Sequence, residues 1–402
     1  MSIAGKPKLI RKINRGLLIE VLREKQLMTN TELAKKTNLS RRTINLIITS
    51  LKETGIVSEH GYGNSTNEGG KKPIIYKFNP NAFYLIGIVV RDYKISIGVC
   101  NLNGQIFFED SISANWQNGN ESTILQIVKL VKGIINKSEI NFSKFLGIGI
   151  GLPGLVDFTD GSIRHLTRHK GWENIQLSKI LNEEIGINVE IDNENCVRAL
   201  GEKWFGIAKK INNFVTIMTS DEGIGCGVVI NNKLLRSHNS LLGEVGHIKI
   251  NENDKKFRDL NNFEYFLGIK HINDLVILNR NLKSFSKSPL SNSFTINSSI
   301  KMEDLFINYN LGDEFANVII EKLSDYFTLL INIIFCTYDP ELLIIHGKFS
   351  MLDDKFFGKI SGSIKEFIFP KLKKKIVIKK SLQSREMAIL GAAGMVLDGV
   401  SI

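Results

Sequence analysis

Cysteine is scarce in this chain: four in 402 residues, at Cys100, Cys196, Cys226 and Cys336. No two of them form a C-x-x-C pair, so neither a disulfide framework nor a zinc knuckle is expected. Their expected role is that of small buried apolar groups. Long apolar runs are missing too, since a membrane-crossing helix needs about 18 such residues and the best stretch, Phe327 to Cys336, is interrupted by Asn332. Near the start, Lys6, Lys8, Arg11, Lys12 and Arg15 alternate with apolar residues, which leaves no room for the apolar core of a secretory leader. These absences predict a cytoplasmic protein with no membrane partner.

Apolar residues make up 43% of the chain and charged ones 23%, enough for a large core and more than one domain. Charge is unevenly placed. Residues 1–80 hold 15 Lys and Arg against 6 Asp and Glu, a net +9, while the whole chain carries +11. A basic N-terminal module on a nearly neutral body is the pattern of a nucleic-acid-binding domain attached to something else.

Within that module, I-N-R-G-L-L-I-E-V-L-R-E-K from Ile13 predicts a first helix, starting near Asn14, with Leu17, Ile19, Val21 and Leu22 largely on one face. Thr29 and Glu32 have capping-box spacing for a short second helix ending near Asn38. Ser40 is the expected N-cap of a third, with Ile44, Ile47, Ile48 and Leu51 inward and Gly55 closing it. Two short helices joined by a tight turn form a helix-turn-helix, whose second helix would offer Arg41, Arg42, Thr43 and Asn45 to double-stranded DNA. Beyond Gly55, I-V-S-E-H and P-I-I-Y-K-F-N predict a two-stranded wing whose loop carries Lys71 and Lys72 for phosphate. The DNA-contacting set is therefore Thr29, Ser40, Arg41, Arg42, Thr43, Asn45, Lys71 and Lys72.

From Phe83 onward the pattern is α/β. Leu85 to Val99 predicts a hairpin around Arg91-Asp92-Tyr93-Lys94, Ile106 to Ser113 continues the meander, and Ser122 to Lys137 is an amphipathic helix. F-L-G-I-G-I-G-L-P-G predicts a buried strand ending in a Gly-Pro turn. A second strand set opens at F-V-T-I-M-T-S-D-E-G-I-G-C-G, followed by helices. Strands then helices, twice over, imply two related lobes with a cleft between them. The expected domains are 1–80 for the winged helix and 81–402 for the body. Its first lobe is placed at about 81–200 plus the last helix, and its second at about 201–380.

Several motifs in order resemble the ROK family of repressors, open reading frames and kinases, and within it the xylose- and N-acetylglucosamine-responsive repressors. They are G-G-K-K-P at Gly69 to Pro73, G-I-G-I-G-L-P-G at Gly147 to Gly154, D-N-E-N-C-V-R-A-L-G-E-K-W-F-G at Asp192 to Gly206, E-G-I-G-C-G at Glu222 to Gly227, G-E-V-G-H at Gly243 to His247, and L-G-A-A at Leu390 to Ala393. The resemblance implies an actin-like (RNase H-like) two-lobed body, a sugar cleft and a homodimer or homotetramer.

The resemblance also locates departures. Family kinases carry Asp-x-Gly-Gly-Thr-Lys in the first hairpin; here Val89, Arg91, Asp92 and Tyr93 fall on the Asp, Gly, Gly and Thr places. The second phosphate turn reads Asp221-Glu222-Gly223-Ile224-Gly225, placing carboxylates where polyphosphate would lie. The adenosine-side Gly-Gly is His346-Gly347, followed by Lys348. These changes predict a chain without ATP-dependent phosphoryl transfer and without a cofactor. The sugar side keeps more: Asn193 and Glu194 match the Asn-Asp pair of the kinases, while Glu244, His247 and Glu264 match family sugar contacts. A Gly-Trp near the cleft mouth is matched by Gly171-Trp172. The family's structural zinc cysteines fall on Lys255, Phe257 and Asn262, so no zinc is expected.

Together these predict a repressor that a sugar or sugar phosphate releases from a palindromic operator, with the segment around Asn79 to Phe83 transmitting the change. Two alternatives stand beside it: an ATP-dependent sugar kinase with an added DNA-binding domain, and a regulator controlled by a protein partner.

Overall fold

A computed structural model describes residues 7–63, 72–91, 93–114, 116–166, 169, 171–221, 223–250, 261–367, 377–383 and 386–399. They fall into two compact units. Unit one comprises Met1–Pro153, Phe158–Asp192 and Ala392–Ile402; unit two comprises Gly154–Asp157 and Asn193–Gly391. Among the described residues no helix is long and apolar enough to cross a membrane.

Unit one begins with α1 (Pro7–Lys25), β1 (Leu27–Thr29), α2 (Asn30–Thr37), α3 (Arg41–Glu53), β2 (Val57–Tyr62) and β3 (Ile74–Phe78). The strands form an antiparallel sheet in the order β1-β3-β2. Local chemistry explains the breaks: Thr29 and Glu32 close a capping box on α2, Asn38 ends it in the left-handed region, and Ser40 Oγ accepts from Thr43 N at 3.1 Å to start α3. Two details differ from expectation. Helix α1 begins at Pro7, ahead of Asn14, and it buries Leu18 and Leu22 while Leu17 faces outward. The three-residue β1 is too short to leave a period in the sequence.

Leu18, Leu22, Leu33, Ile44, Ile48, Leu51, Val57 and Phe78 make the winged-helix core, and Leu102 with the partly buried Leu146 and Leu397 joins it. Burying each such side chain contributes roughly 1.5–3 kcal/mol. The Asn79 to Phe83 segment is tied to this body: Leu102 N donates to Pro80 O at 3.0 Å and Asn101 Nδ2 to Asn81 Oδ1 at 2.7 Å. The DNA-binding module is thus packed on unit one rather than hung from a free tether.

Unit one continues with β4 (Tyr84–Arg91), β5 (Lys94–Asn101), β6 (Ile106–Ser113), α4 (Gly119–Ser138), β7 (Phe145–Leu152), β8 (Leu155–Asp157, counted in unit two), β9 (Ser162–His165), α5 (Leu177–Ile185) and β10 (Val189–Asn193). Unit two carries α6 (Glu194–Trp204), β11 (Phe214–Thr219), β12 (Ile224–Ile230), β13 (Lys233–Leu234), α7 (Phe263–Phe266), α8 (Ile269–Asn279), α9 (Lys283–Lys287), α10 (Pro289–Asn297), α11 (Met302–Asn310), α12 (Glu314–Tyr338), β14 (Leu342–Gly347), α13 (Asp354–Phe367) and β15 (Ile378–Lys380). Helix α14 (Glu386–Gly399) closes the chain.

The two main sheets repeat one topology: β10-β7-β4-β5-β6 in unit one and β15-β14-β11-β12-β13 in unit two. In both, the first strand of the set runs antiparallel to the next in sequence and parallel to the strand that follows the helical insertion. The expected hairpin is β4 and β5, with Arg91 opposite Lys94; Asp92 lies outside the described residues.

Glycines in the quoted motifs have packing reasons. A Cβ at Gly149 would stand 1.8 Å from Ala392 O of α14, and one at Gly147 would stand 2.7 Å from Val396. In unit two, a Cβ at Gly225 would stand 2.1 Å from Asn195 Nδ2 and one at Gly227 would stand 2.3 Å from Asn195 O, so β12 presses its backbone onto α6.

Candidate functional site

On the helix-turn-helix, Arg41, Arg42 and Asn45 are exposed on the first turns of α3, while Thr43 is half-buried with its hydroxyl 2.9 Å from Ser40 Oγ. Ser40 and Thr29 both serve as caps; Thr29 Oγ1 accepts from Glu32 N and donates to Glu32 Oε2 at 2.8 Å. The Asn45 amide is held by a neighbour, since Asn30 Nδ2 donates to its Oδ1 at 2.5 Å. Arg15 Nη1 donates to Ser50 Oγ at 2.7 Å and braces α3 against α1. Lys72 is exposed two residues ahead of β3, and Lys71 lies outside the described residues.

In unit two, β10 ends at Asn193, which caps α6: its Oδ1 accepts from Asn195 N at 2.8 Å while its Nδ2 donates to Gly154 O at 2.7 Å. Glu194 follows on the first turn, with its Oε2 3.7 Å from Arg198 Nη2 in a pair that is almost fully buried. Burial of such a pair makes each charge depend on the other.

The G-E-V-G-H turn is shaped by its glycines. Gly243, at φ +96°, lies so close to β12 that a Cβ would stand 2.0 Å from Cys226 O, and one at Gly246 would stand 2.5 Å from Ile224 O. This close approach sets His247 between two carboxylates, Nε2 3.6 Å from Glu244 Oε2 and Nδ1 3.9 Å from Glu264 Oε2. Glu264 Oε1 also accepts from Ile224 N at 3.2 Å. Burial, with Glu264 and Glu194 nearby, raises the Glu244 carboxyl above its ordinary range, and His247 partly offsets this. Of the expected set, Glu244, His247 and Glu264 are thus brought together around an exposed imidazole, Glu194 lies near enough for its charge to act on Glu244, and Asn193 is placed only by its cap on α6. Such a group is suited to accepting hydrogen bonds from several hydroxyls at once.

The phosphate side is different. Lys348 Nζ stands 3.3 Å from Asp221 Oδ2 and also pairs with Glu303 Oε1 on α11, so the second turn and the adenosine-side residue are joined by the chain's own charges. Glu222 lies outside the described residues. His346 is wholly buried on β14, its Nε2 3.2 Å from Glu202 Oε1, which also accepts from Ser381 Oγ at 2.6 Å. In unit one, Val89 stands buried in β4 opposite Ser96, an apolar side chain on the family's carboxylate place. Neither the Lys348 pairing nor the Arg198 partner of Glu194 was anticipated from sequence. The second had a signal in its i,i+4 spacing.

The family's zinc does not fit this donor set. Among the described residues no group of three or more His, Cys, Asp or Glu is arranged to hold a metal ion. Of the three positions matching the cysteines, Lys255 and Phe257 lie outside the described residues, and Asn262 instead caps α7 by accepting from Tyr265 N at 3.0 Å.

A winged helix joined to two α/β sheets of one topology defines a class: a DNA-binding module on a sugar-kinase-like body. The ROK family model matches residues 85–398 and a winged helix-turn-helix DNA-binding model matches residues 11–58. This chain belongs to the ROK family. It is 27% identical to a xylose repressor of Caldicellulosiruptor bescii over 98% of both chains. It is 25% identical to a glucokinase of Thermotoga maritima over 79% of this chain and 98% of that one. A crystal structure of a ROK family transcriptional regulator, a homolog of the E. coli MLC protein, superposes with a TM-score of 0.81 at 20% identity, covering 96% of each chain.

Proposed function

We propose that this chain is a sugar-responsive DNA-binding transcription regulator, a repressor that leaves its operator when a sugar or sugar phosphate binds at Glu194, Glu244, His247 and Glu264. Asn193 fixes the N-terminus of α6 beneath that ligand. Arg41, Arg42, Thr43 and Asn45 enter the major groove, and Thr29, Ser40, Lys71 and Lys72 lie along the phosphates. A homodimer or homotetramer would present paired recognition helices to a palindrome.

One observation carries the non-catalytic half of this reading: Lys348 bridging Asp221 and Glu303. A phosphoryl-transfer site must hold a tetra-anionic nucleotide and its metal. Here Asp221 of the matching turn is already committed to Lys348, which also pairs with Glu303 of α11, and this favours a body that binds sugar without transferring phosphate. Full-length similarity to a protein named xylose repressor makes xylose the first ligand to try.

The test is a thermal-shift panel of sugars and sugar phosphates run beside a coupled ATPase assay with the same panel. A binding-only body gives a raised melting temperature with at least one ligand and no sustained ATP consumption with any. Sustained turnover would make it a kinase with an added DNA-binding domain. Absence of any shift would favour control by a protein partner.

A further inference from the structure

Helix α3 carries one apolar side chain that the winged-helix core does not use. Ile44, Ile48 and Leu51 are buried, but Leu46 is 67% exposed. It lies one turn after the exposed Arg42 and one turn before the exposed Thr49, so the three form a line along the outward face. Beside it, Asn45 has its amide oxygen engaged by Asn30. Asparagine reads adenine by accepting from N6 while donating to N7. With its amide oxygen engaged on α2, Asn45 has less to offer that paired contact, which leaves the thymine half of an A·T pair facing this turn open to another side chain. The thymine half offers a 5-methyl group to the major groove, and an apolar side chain is its natural partner.

We infer that Leu46 is a specificity-determining residue that packs on the 5-methyl group of a thymine in the operator, beside Arg41 and Arg42 in the same groove. This deepens the DNA-binding reading above and rests on it. The contact discriminates thymine from cytosine and from uracil at a single position in each half-site. It contributes through apolar burial, so its effect is independent of salt, unlike that of the arginines.

The experiment uses the full-length chain and a duplex selected by it from a random pool. Each thymine is replaced in turn by uracil, which deletes the methyl group alone. At one thymine per half-site, uracil is expected to weaken wild-type binding about fourfold, the worth of one buried methyl-sized group. Leu46→Ala should lose affinity for the thymine duplex and bind the thymine and uracil duplexes equally. Because Leu46 is exposed, that variant should melt with the wild type. Equal binding of thymine and uracil duplexes by the wild type at every position overturns the inference, as does a thymine preference that survives in Leu46→Ala. Both of those outcomes leave DNA binding intact. A chain that selects no duplex at all overturns the DNA-binding reading itself.

Discussion

Unit two treats two sets of acidic residues in opposite ways. Glu244 and Glu264 flank a half-exposed His247 at separations of 3.6 and 3.9 Å, too long for strong hydrogen bonds, and burial raises the Glu244 carboxyl. Asp221 and Glu303 instead share Lys348, whose single charge offsets part of theirs. The first set keeps acceptor capacity for a ligand; the second has already been given a cation. Under the proposed function, the first set would serve sugar hydroxyls and the second would stand where a kinase needs phosphate. The difference lies in a few side chains and leaves the sheet unchanged.

Substitutions can break that contrast, and the largest effect is expected at Glu194. Glu194→Ala removes the carboxylate beside the buried Arg198 and should cost about 3 kcal/mol of stability, read by urea unfolding, with sugar-induced stabilisation lost as well. Glu194→Gln should recover part of the stability without the sugar response. If Glu194→Ala unfolds at the wild-type midpoint, the pair is not the anchor of this site.

Next comes Gly225. On a nucleotide-binding chain this glycine would serve phosphate; here it lets β12 meet α6, where a Cβ would stand 2.1 Å from Asn195 Nδ2. Gly225→Val should therefore cost about 2 kcal/mol in the ligand-free protein, measured by thermal unfolding. An unchanged melting temperature would return the glycine to a phosphate role.

Lys348→Met should cost only about 0.5–1 kcal/mol, because the three side chains are partly exposed and solvent screens them. It should create no ATP turnover, since Asp221 remains and Val89 still stands in β4. Turnover appearing in this variant would mean that the lysine alone separates sensor from kinase.

The smallest effect is the pH dependence of Glu244. A carboxyl raised in the folded state contributes stability that is present below its ordinary value of 4.5 and lost as pH rises through the raised value. Glu244→Gln removes that loss, so the variant should melt higher than the wild type at neutral pH, with the advantage vanishing in acid. An advantage that does not change with pH would place the cause elsewhere.

What was legible in the sequence follows from the range of each interaction. The caps at Thr29 and Ser40, the left-handed Asn38 and the glycine punctuation are local, and they marked the helix-turn-helix to within a residue or two. The repeated strand pattern announced two related units for the same reason. Leu17 was placed inward and Leu18 left out because α1 is apolar over more than one face, so the choice of inner stripe depends on what it packs against. Lys348 was recognised as a departure, but its partners lie 45 and 127 residues away, at Glu303 and Asp221, and only the fold brings them together. Likewise the sequence pointed to Asn45 as a base reader without revealing that Asn30 holds its amide.

In the proposed function, sugar at the carboxylate group and DNA at α3 are linked through one protein that transfers no phosphate. Measuring operator affinity with and without the stabilising sugar, and sugar affinity with and without operator, tests it most directly. Linkage requires the two factors to be equal, so the same weakening is expected in both directions, with the sugar recovered unmodified. Unequal factors, no coupling with any sugar, or recovery of a newly phosphorylated sugar would contradict it.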